Sequence, residues 1–431
     1  MRTAVRNVLI SVLQAESKLV LLKYKPKIIA ITGSVGKTST KDAVYAMLSK
    51  VSYVRKSEKS YNSELGLPLT ILGVPNGWND PKIWLKDIVR GLWLIVAPHK
   101  YPEWLILEVG VGKPGDMKRT ASWLKTDAVV ITAIGETPAH IEFFDSRKHL
   151  VEEKSGLIKT LKKDGLLVLN RDDETVYDMR EKTKNRIVTY GFNDEANVVG
   201  STDAISYHAN GQPEGVVFRV DVEGKSLPVV IDGVFGKNHV FAAMATLALT
   251  LGLKLNILDA VNSLKTYDVP PGRMRLLKGI EGTMIIDDSY NSSPFASESA
   301  LKTLGEIKCH GRRIAILGDM LELGKHTVEA HQNIGRIATE NAHVLLVVGQ
   351  RSLAIKEGAI DAGMSADNIF EFLDARTAGE FIKTFVKNGD VILVKGSQGM
   401  RMERVVEAIL LDQENKSTLL VRQDKEWLAK K

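Results

Sequence analysis

The sequence predicts an α/β fold with a mostly parallel central sheet, a small antiparallel patch appended to that sheet, and a second, smaller α/β domain after it. Three observations predict this fold. Short apolar runs alternate with helical stretches up to residue 170, as in a parallel sheet covered on both faces. Short β-prone runs with glycine turns follow over residues 186–232. A Val-Pro-Pro-Gly break at residues 269–272 then precedes a second alternating series.

The elements of the first part follow from their apolar patterns. Residues 1–25 predict one amphipathic helix, and residues 27–32 predict a short buried strand that ends in a glycine loop. A helix is expected over residues 37–48. Further strands of the parallel sheet are expected at residues 104–108, 128–132 and 166–170.

The second part begins after an alanine-rich helix expected over residues 241–253. We expect a doubly wound, Rossmann-like domain there, because strands again alternate with helices. The predicted strands are residues 284–288, 313–317, 344–348 and 391–394. The predicted divisions of the chain are an N-terminal helix (1–26), a central domain (27–269) and a C-terminal domain (270–431).

Composition excludes several classes of protein. The 431 residues are 44% hydrophobic and 26% charged, the balance of a globular protein rather than a disordered or fibrous one. The net charge of +6 is spread along the chain without a basic run interleaved with aromatics, so no nucleic-acid partner is expected. The lone Cys309 cannot form an intrachain disulfide, which indicates a reducing cytoplasm. No signal peptide or membrane span is predicted at the N-terminus.

The clearest local motif is the glycine loop between the first strand and its helix. Glycines there let backbone N–H groups converge on phosphate oxygens, a lysine reaches the phosphates, and a threonine hydroxyl can bind Mg²⁺. The first glycine of the full phosphate-loop pattern is replaced by Ile31. This loop predicts ATP and Mg²⁺ as cofactors. Its residues are Gly33, Ser34, Val35, Gly36, Lys37, Thr38 and Ser39.

Two more residues follow predicted strands and offer metal ligands. Glu108 ends an apolar strand, where parallel sheets place their ligands, and its carboxylate suits Mg²⁺. By position alone, a solvated strand end is an equal alternative for this residue. His140 follows the next strand and could add a ligand, although a lone histidine is more often structural. By its local pattern Lys154 is a solvated helix lysine.

The chain resembles the Mur ligase family, and within it the branch that adds D-alanyl-D-alanine to a UDP-N-acetylmuramoyl-tripeptide in peptidoglycan synthesis. The resemblance rests on separate motifs in the same order. They are residues 32–40, 62–70, 108–110, 138–142, 153–156, 272–274, 287–294, 318–324, 394–397 and 402–403.

The resemblance implies a reaction and its cofactors. A substrate carboxylate attacks the γ-phosphate of ATP, and the amine of a second substrate then displaces phosphate from the acyl phosphate. Lys154 corresponds to a lysine that many family members carbamylate, so it joins Thr38, Glu108 and His140 as a predicted metal-site residue, and Lys37 is the predicted phosphate-binding cation. The partners are small-molecule substrates, and we expect a monomer.

Other roles are also carried over from the family. Arg273 is expected to reach phosphate, Asp288 the ribose and Asn291 the adenine. The family's Gly-x-His-Asn-Val segment appears here with its two polar residues transposed, as Asn238 and His239, so adenine contacts there are expected to be rearranged. The predicted residues of the substrate sites are Asn62, Ser63, Glu64, Asp319, Glu322, Lys395, Ser397 and Glu403.

One departure leaves the substrate open. Family members usually carry a module before the ATP loop that holds the UDP end of the substrate, whereas 32 residues precede Gly33 here. This leaves three alternatives. Another part of the chain binds the UDP end of the substrate, a separate UDP-binding partner supplies the module, or the substrate is not UDP-linked. Alternative functions are a pseudomurein peptide ligase, a MurT-like subunit, a folylpolyglutamate synthase, or an ATP-binding partner without catalysis.

Residues 78–104 form an unusual stretch with tryptophans and basic residues. A core helix is one interpretation. The other is a basic amphipathic helix that, with the N-terminal helix, makes peripheral contact with a membrane.

Overall fold

The computed structural model describes residues 3–58, 62, 64–135, 141–265 and 267–429. Two predicted site residues, Ser63 and His140, lie outside the described residues. Within the described part the strands form two sheets, one of nine strands and one of six. No helix in this part is both long enough and apolar enough to cross a bilayer.

The nine-stranded sheet occupies the first part of the chain. Its order is β2-β3-β1-β4-β5-β6-β7-β8-β9, parallel as far as β7 and antiparallel from β7 to β9. This confirms the mostly parallel sheet with an antiparallel patch, but the patch begins later than predicted, because residues 186–191 form a strand that is parallel to both of its neighbours. The strands are β1 (Lys27–Thr32), β2 (Val54–Lys56), β3 (Trp104–Glu108), β4 (Thr126–Ile131), β5 (Leu161–Asn170), β6 (Arg186–Gly191), β7 (Val198–Tyr207), β8 (Pro213–Val222) and β9 (Lys225–Asp232).

Helices cover both faces of this sheet. The helix α8 is almost wholly buried and packs against α2, α9 and β6, which explains its alanine-rich, all-round apolar sequence. The helices are α1 (Thr3–Tyr24), α2 (Lys37–Leu48), α3 (Gly66–Leu72), α4 (Pro81–Val96), α5 (Asp116–Ala121), α6 (Arg147–Ser155), α7 (Glu174–Tyr177), α8 (Lys237–Gly252) and α9 (Ile257–Leu264).

The six-stranded sheet belongs to the C-terminal part and is parallel except for its first strand. Its order is β10-β11-β15-β12-β13-β14, with helices between the strands as expected of a doubly wound domain. Its elements are β10 (Arg275–Lys278), β11 (Met284–Asp288), α10 (Pro294–Glu306), β12 (Arg313–Gly318), α11 (Thr327–Asn341), β13 (Val344–Val348), α12 (Leu353–Asp361), β14 (Ile369–Phe372), α13 (Ala375–Phe385), β15 (Val391–Lys395), α14 (Glu403–Ile409), α15 (Lys416–Leu419) and α16 (Lys425–Leu428).

The sequence did not reveal three edge strands and one interior strand. Four strands, β2, β7, β10 and β14, were not expected. Three of them have four residues or fewer, and β7 alternates buried with half-exposed positions. The three edge strands are too short to show a period, and β7 lacks a continuous apolar run, so periodicity alone does not reveal them.

The strand register brings the candidate site together. Ile31 at the end of β1 lies opposite Glu108 at the end of β3, and Thr32 lies opposite Ile131 of β4. The glycine loop, Glu108 and the segment after β4 therefore meet at the carboxyl edge of the sheet. That edge is where open α/β sheets bind their ligands.

The helices α1 and α4 pack side by side and bury two carboxyl groups. Glu16 is 4% exposed and Asp87 is 2% exposed. Both Glu16 carboxyl oxygens and one Asp87 oxygen have no hydrogen-bond partner among the described residues. Burial raises the pKa of Glu16 to about 7 and that of Asp87 to about 6. Both groups therefore oppose folding when ionised.

Replacing Glu16 with glutamine should stabilise the protein more at pH 8 than at pH 5. Below pH 7 the folded protein keeps Glu16 protonated, whereas above pH 7 it carries a buried anion that costs of the order of 2 kcal/mol. Thermal unfolding at both pH values measures the difference, expected at about 2 °C or more. The control is exposed Glu103→Gln, and an equal effect of Glu16→Gln at the two pH values would contradict the interpretation.

Candidate active site

The glycine loop is held tightly against the segment that follows β4. The backbone N–H groups of Ser34 and Val35 donate to the carbonyl oxygen of Ala133, at 2.7 and 3.2 Å. Gly33 has φ of 145°, and a Cβ there would lie 2.0 Å from Thr132 Oγ1. Because any side chain would collide, glycine is required at this position. The loop leads directly into the N-terminus of α2, where N–H groups are available to an anion.

Two lysines converge on this loop. Lys37 Nζ donates to the carbonyl oxygens of Gly33 and Ser34, at 3.0 and 3.2 Å, and Lys154 Nζ donates to the same Gly33 oxygen at 3.1 Å. Burial lowers the pKa of Lys37. Burial, with the charge of Lys37, lowers the pKa of Lys154 to about 7. Lys154 is thus buried beside the phosphate loop. The interpretation from its local sequence pattern, a solvated helix lysine, was wrong.

Oxygen ligands suited to Mg²⁺ lie beside the two lysines. Thr38 Oγ1 donates to Glu108 Oε2 at 3.0 Å, and Asn62 Nδ2 donates to Glu108 Oε1 at 3.1 Å. Ser34 Oγ is buried without a hydrogen-bond partner among the described residues. A bound metal with its nucleotide would satisfy such a group. The donor set therefore fits Mg²⁺, although no cluster of three His, Cys, Asp or Glu occurs in the part of the chain that is described.

The C-terminal domain reaches the loop through Arg273. Its Nη2 donates to Thr38 Oγ1 at 3.3 Å, and its guanidinium lies 3.9 Å from the centroid of the Tyr290 ring. Nearby, Lys395 Nζ lies 2.6 Å from Asp288 Oδ2 and donates to the carbonyl oxygen of Asn291 at 2.9 Å. Arg273, Asp288, Asn291 and Lys395 line a small cleft of about 70 Å³ together with residues of the loop. Residues of the two domains thus meet around one space.

His239 serves the packing between the domains. Its Nε2 lies 2.7 Å from the carbonyl oxygen of Arg273, and its Nδ1 is hydrogen-bonded to the Tyr267 hydroxyl. Burial lowers its pKa to about 4, so the ring is neutral and both nitrogens are engaged. The adjacent Asn238 lines the small cleft and also a neighbouring cavity of about 800 Å³. Adenine contacts by this pair stay a prediction.

A larger cleft of about 680 Å³ opens on the side of the loop that holds the lysines. Asn62 and Glu64, both predicted substrate residues, line it, and Arg119 Nε contacts Glu64 Oε1 at 3.2 Å. Arg6 of α1 and Lys113 also line this cleft. Neither cation was predicted from the sequence, because neither belongs to a motif and only the packing brings them to the site.

Four other predicted substrate residues lie in the C-terminal domain outside the larger cleft, and a fifth, Lys395, lines the small cleft. Glu403 is buried between Arg401 and Arg422, at 2.5 and 2.9 Å. Asp319 Oδ1 accepts from the backbone N–H of Ser352 at 2.8 Å, and Ser397 donates its N–H to the Asp319 carbonyl oxygen at 3.0 Å. Of Asp319, Glu322, Ser397 and Glu403, none lines the larger cleft. Their substrate roles stay predictions.

Two family models match most of the chain. The Mur ligase middle domain matches residues 31–250, and the Mur ligase, glutamate ligase domain matches residues 272–398. The chain belongs to the Mur ligase family. It is an ATP-dependent ligase of that family, so the recognition made from the motifs is confirmed.

Named relatives and solved structures agree with this assignment. UDP-N-acetylmuramoyl-tripeptide–D-alanyl-D-alanine ligase of Bacillus subtilis is 28% identical over 405 residues, which are 93% of this chain and 79% of that protein. The MurF ligase of Thermotoga maritima, solved in complex with ADP, has a TM-score of 0.74 and 25% identity, covering 93% of this chain and 83% of that one. MurF of Acinetobacter baumannii has a TM-score of 0.75 and 23% identity. The match covers 91% of this chain and 79% of the Acinetobacter protein, and it supports the same fold.

Removing the Arg273 side chain should weaken the use of ATP in this Mur ligase. Arg273→Ala loses a cation that contacts the phosphate loop from the opposite domain, so we expect kcat/KM for ATP to fall about 10²-fold. The matched control is Arg275→Ala, two residues further on in β10, which should retain activity. If both variants kept the original kcat/KM, Arg273 would have no part in the site.

Proposed function

We propose that the protein joins D-alanyl-D-alanine to a UDP-N-acetylmuramoyl-tripeptide, with ATP converted to ADP and phosphate. The ATP half is supported chiefly by the convergence of three cations on the phosphate loop: Lys37 and Lys154 contact Gly33, and Arg273 contacts Thr38, which is paired with Glu108. The named activity of the relatives supports the choice of substrates. We place the reaction in the cytoplasm, where ATP is supplied.

The proposed reaction has two steps. The substrate carboxylate attacks the γ-phosphorus of ATP, the bond to the β-phosphate oxygen breaks, and an acyl phosphate and ADP result. The dipeptide amine then attacks the acyl carbon, loses a proton, and releases phosphate as the amide bond forms. Lys37 and Arg273 stabilise charge on the transferring phosphoryl group, so no protein nucleophile is required.

We propose Mg²⁺ as the second cofactor. Thr38 and Glu108 would hold it together with nucleotide oxygens, and Mg²⁺ would supply charge neutralisation at the phosphates when bound. Lys154 would contribute as a carbamate, which turns an amine into an oxygen ligand. His140 is the remaining proposed ligand, carried over from the family motif.

We propose that the nucleotide and the carboxylate substrate bind on different sides of the phosphate loop. We propose that the small cleft and the adjoining cavity near Asn238 take the nucleotide, and that Asp288, Asn291 and Lys395 contact it from the C-terminal domain. The larger cleft takes the carboxylate substrate, where Arg6 and Lys113 suit its anionic groups. The contact of Arg273 with Thr38 draws the domains together and protects the acyl phosphate from water.

Mass spectrometry of reaction products tests this function. The protein is incubated with ATP, UDP-N-acetylmuramoyl-tripeptide and D-alanyl-D-alanine. We expect the UDP-linked pentapeptide, with ADP and phosphate formed only when both substrates are present. Reaction with a nucleotide-free peptide, but not with the UDP-linked one, would reassign the substrate. ATP binding without turnover across peptide and folate acceptors would instead support the non-catalytic alternative.

A further inference from the structure

The helix α4 forms an outer layer of the central domain. It packs on α1 and α3, and its fully buried residues are Trp84, Asp87 and Gly91. Lys23 of α1 ties its end to the body of the protein, since its Nζ donates to the carbonyl oxygens of Leu94, Ile95 and Ala97 at 3.0, 2.9 and 2.6 Å. The exposed side of α4 is therefore a fixed surface.

That exposed side carries large apolar side chains at helical spacing. Leu85 is 64% exposed, Trp93 is 59% exposed and Val96 is 79% exposed, and Val89 and Leu92 lie between them. Their spacing of three, four and seven residues places them on one face of the helix. An apolar stripe of this kind on a fixed surface indicates a site for a partner. We call it the outer face of α4.

Basic side chains border the outer face of α4. Lys82, Lys86 and Arg90 are exposed, and none of the three forms an ion pair with a carboxylate in the described ranges of the chain. The one acidic residue within the helix, Asp87, points inward. Asp80, just before it, accepts from the backbone N–H of Lys82 as the N-cap. The face thus combines apolar contact with a net positive charge, of which the buried Asp87 carboxyl offsets only a part through Arg90 and Lys86.

We propose that the outer face of α4 docks the enzyme onto a membrane surface that contains anionic lipids. The apolar stripe would enter the boundary between headgroups and acyl chains, while Lys82, Lys86 and Arg90 contact lipid phosphates. A helix of 16 residues is about 24 Å long, short of the ~30 Å hydrocarbon core, so it lies in the plane of the membrane. A second copy of the chain fits less well, because it would bring the same cations together.

Docking through α4 would also set the position of the active-site cleft relative to the membrane. The helix packs on α1, and Arg6 of α1 lines the larger cleft. A membrane-bound enzyme would therefore keep this cleft close to the lipid surface. The docking surface itself contains none of the residues that bind ATP in the proposed function.

Co-sedimentation of the full-length protein with vesicles tests the proposal. Vesicles of phosphatidylglycerol and phosphatidylcholine should bind the protein, with binding falling as salt rises, while pure phosphatidylcholine should bind at least tenfold less. The triple variant Lys82→Glu, Lys86→Glu and Arg90→Glu should lose at least tenfold in binding. The matched control reverses three exposed lysines elsewhere, Lys163, Lys182 and Lys225, and should bind like the original protein.

Quenching by brominated lipids tests the apolar part of the contact. Brominated acyl chains should quench tryptophan emission of the original protein more than that of Trp93→Phe, and Trp93→Ser should bind more weakly than Trp93→Phe. Equal vesicle binding by the triple variant and its control would overturn the proposal. The proposal would also be overturned if the protein associated with itself without lipid and Trp93→Ser abolished this association. The outer face of α4 would then bind a second copy of the chain. Ligase activity in solution should be the same in the triple variant, so a failed ligase assay does not affect this test.

Discussion

Replacing Lys37 with alanine is expected to lower substrate-dependent phosphate release at least about 10³-fold. In the structure Lys37 Nζ lies against the carbonyl oxygens of Gly33 and Ser34, inside the loop that would surround the phosphates. Burial removes competing water, so the charge of Lys37 acts strongly on a transferring phosphoryl group. Single-turnover phosphate release measures the effect directly on the chemical step.

Lys50→Ala is the control for Lys37, because Lys50 is exposed just beyond the C-terminal end of α2. It should retain full activity, and the thermal stability of Lys37→Ala should stay close to the original. A Lys37→Ala enzyme with an unchanged rate at saturating ATP would refute the assigned role. It would show that Lys37 contributes only to the binding of ATP in the ground state.

The parts of the site formed by consecutive residues were predictable. The strand β1, its loop and α2 form one continuous segment, so the local pattern was enough to predict the phosphate site. Glu108 could also be predicted from the sequence, because a polar residue at the end of an apolar run marks the carboxyl edge of a parallel sheet. The register of β1 with β3 then places it opposite Ile31.

Residues brought in by packing were not predictable. Arg6 reaches the larger cleft only because α1 packs on α3 and α4, and nothing within residues 1–25 encodes that position. Lys154 looked solvated because its helix segment is polar, yet α6 turns this one side chain toward Gly33. Packing also sets the hydrogen bonds of His239 to the Tyr267 hydroxyl and to the Arg273 carbonyl oxygen, while its contact with adenine stays a prediction.

The helix α4 shows why periodicity left two interpretations open. Its pattern contains an inward face with Trp84 and Gly91 and an outward apolar stripe with Trp93. Hydrophobic spacing reports that a face is apolar but not whether protein covers it. The structure establishes that the outward stripe is exposed within the described part of the chain.

Lys154→Arg is expected to lower turnover about 10²-fold, the effect typical of losing support at a metal site. Arginine keeps a positive charge near Gly33 but cannot form a carbamate. In the original enzyme the pKa of Lys154 is lowered to about 7. The neutral amine, which attacks CO₂ and releases a proton, therefore becomes the main form as pH rises from 6 to 8. Activity in CO₂-free buffer should fall and should return on adding bicarbonate, more fully at pH 8 than at pH 6.

The response to bicarbonate separates a carbamate from a simple cation. Lys159→Arg, an exposed position in the next segment, should keep both activity and the bicarbonate response, whereas Lys154→Arg should lose both. Mass measurement of the folded original protein under native conditions at pH 8 should show one added CO₂ that the Lys154→Arg variant lacks, since acid denaturation would release CO₂ from a carbamate. If Lys154→Arg retained full turnover and bicarbonate had no effect at either pH, Lys154 would act only as a cation beside the phosphate loop. The metal would then be held by Thr38, Glu108, the proposed ligand His140 and nucleotide oxygens, because a protonated amine cannot act as a ligand.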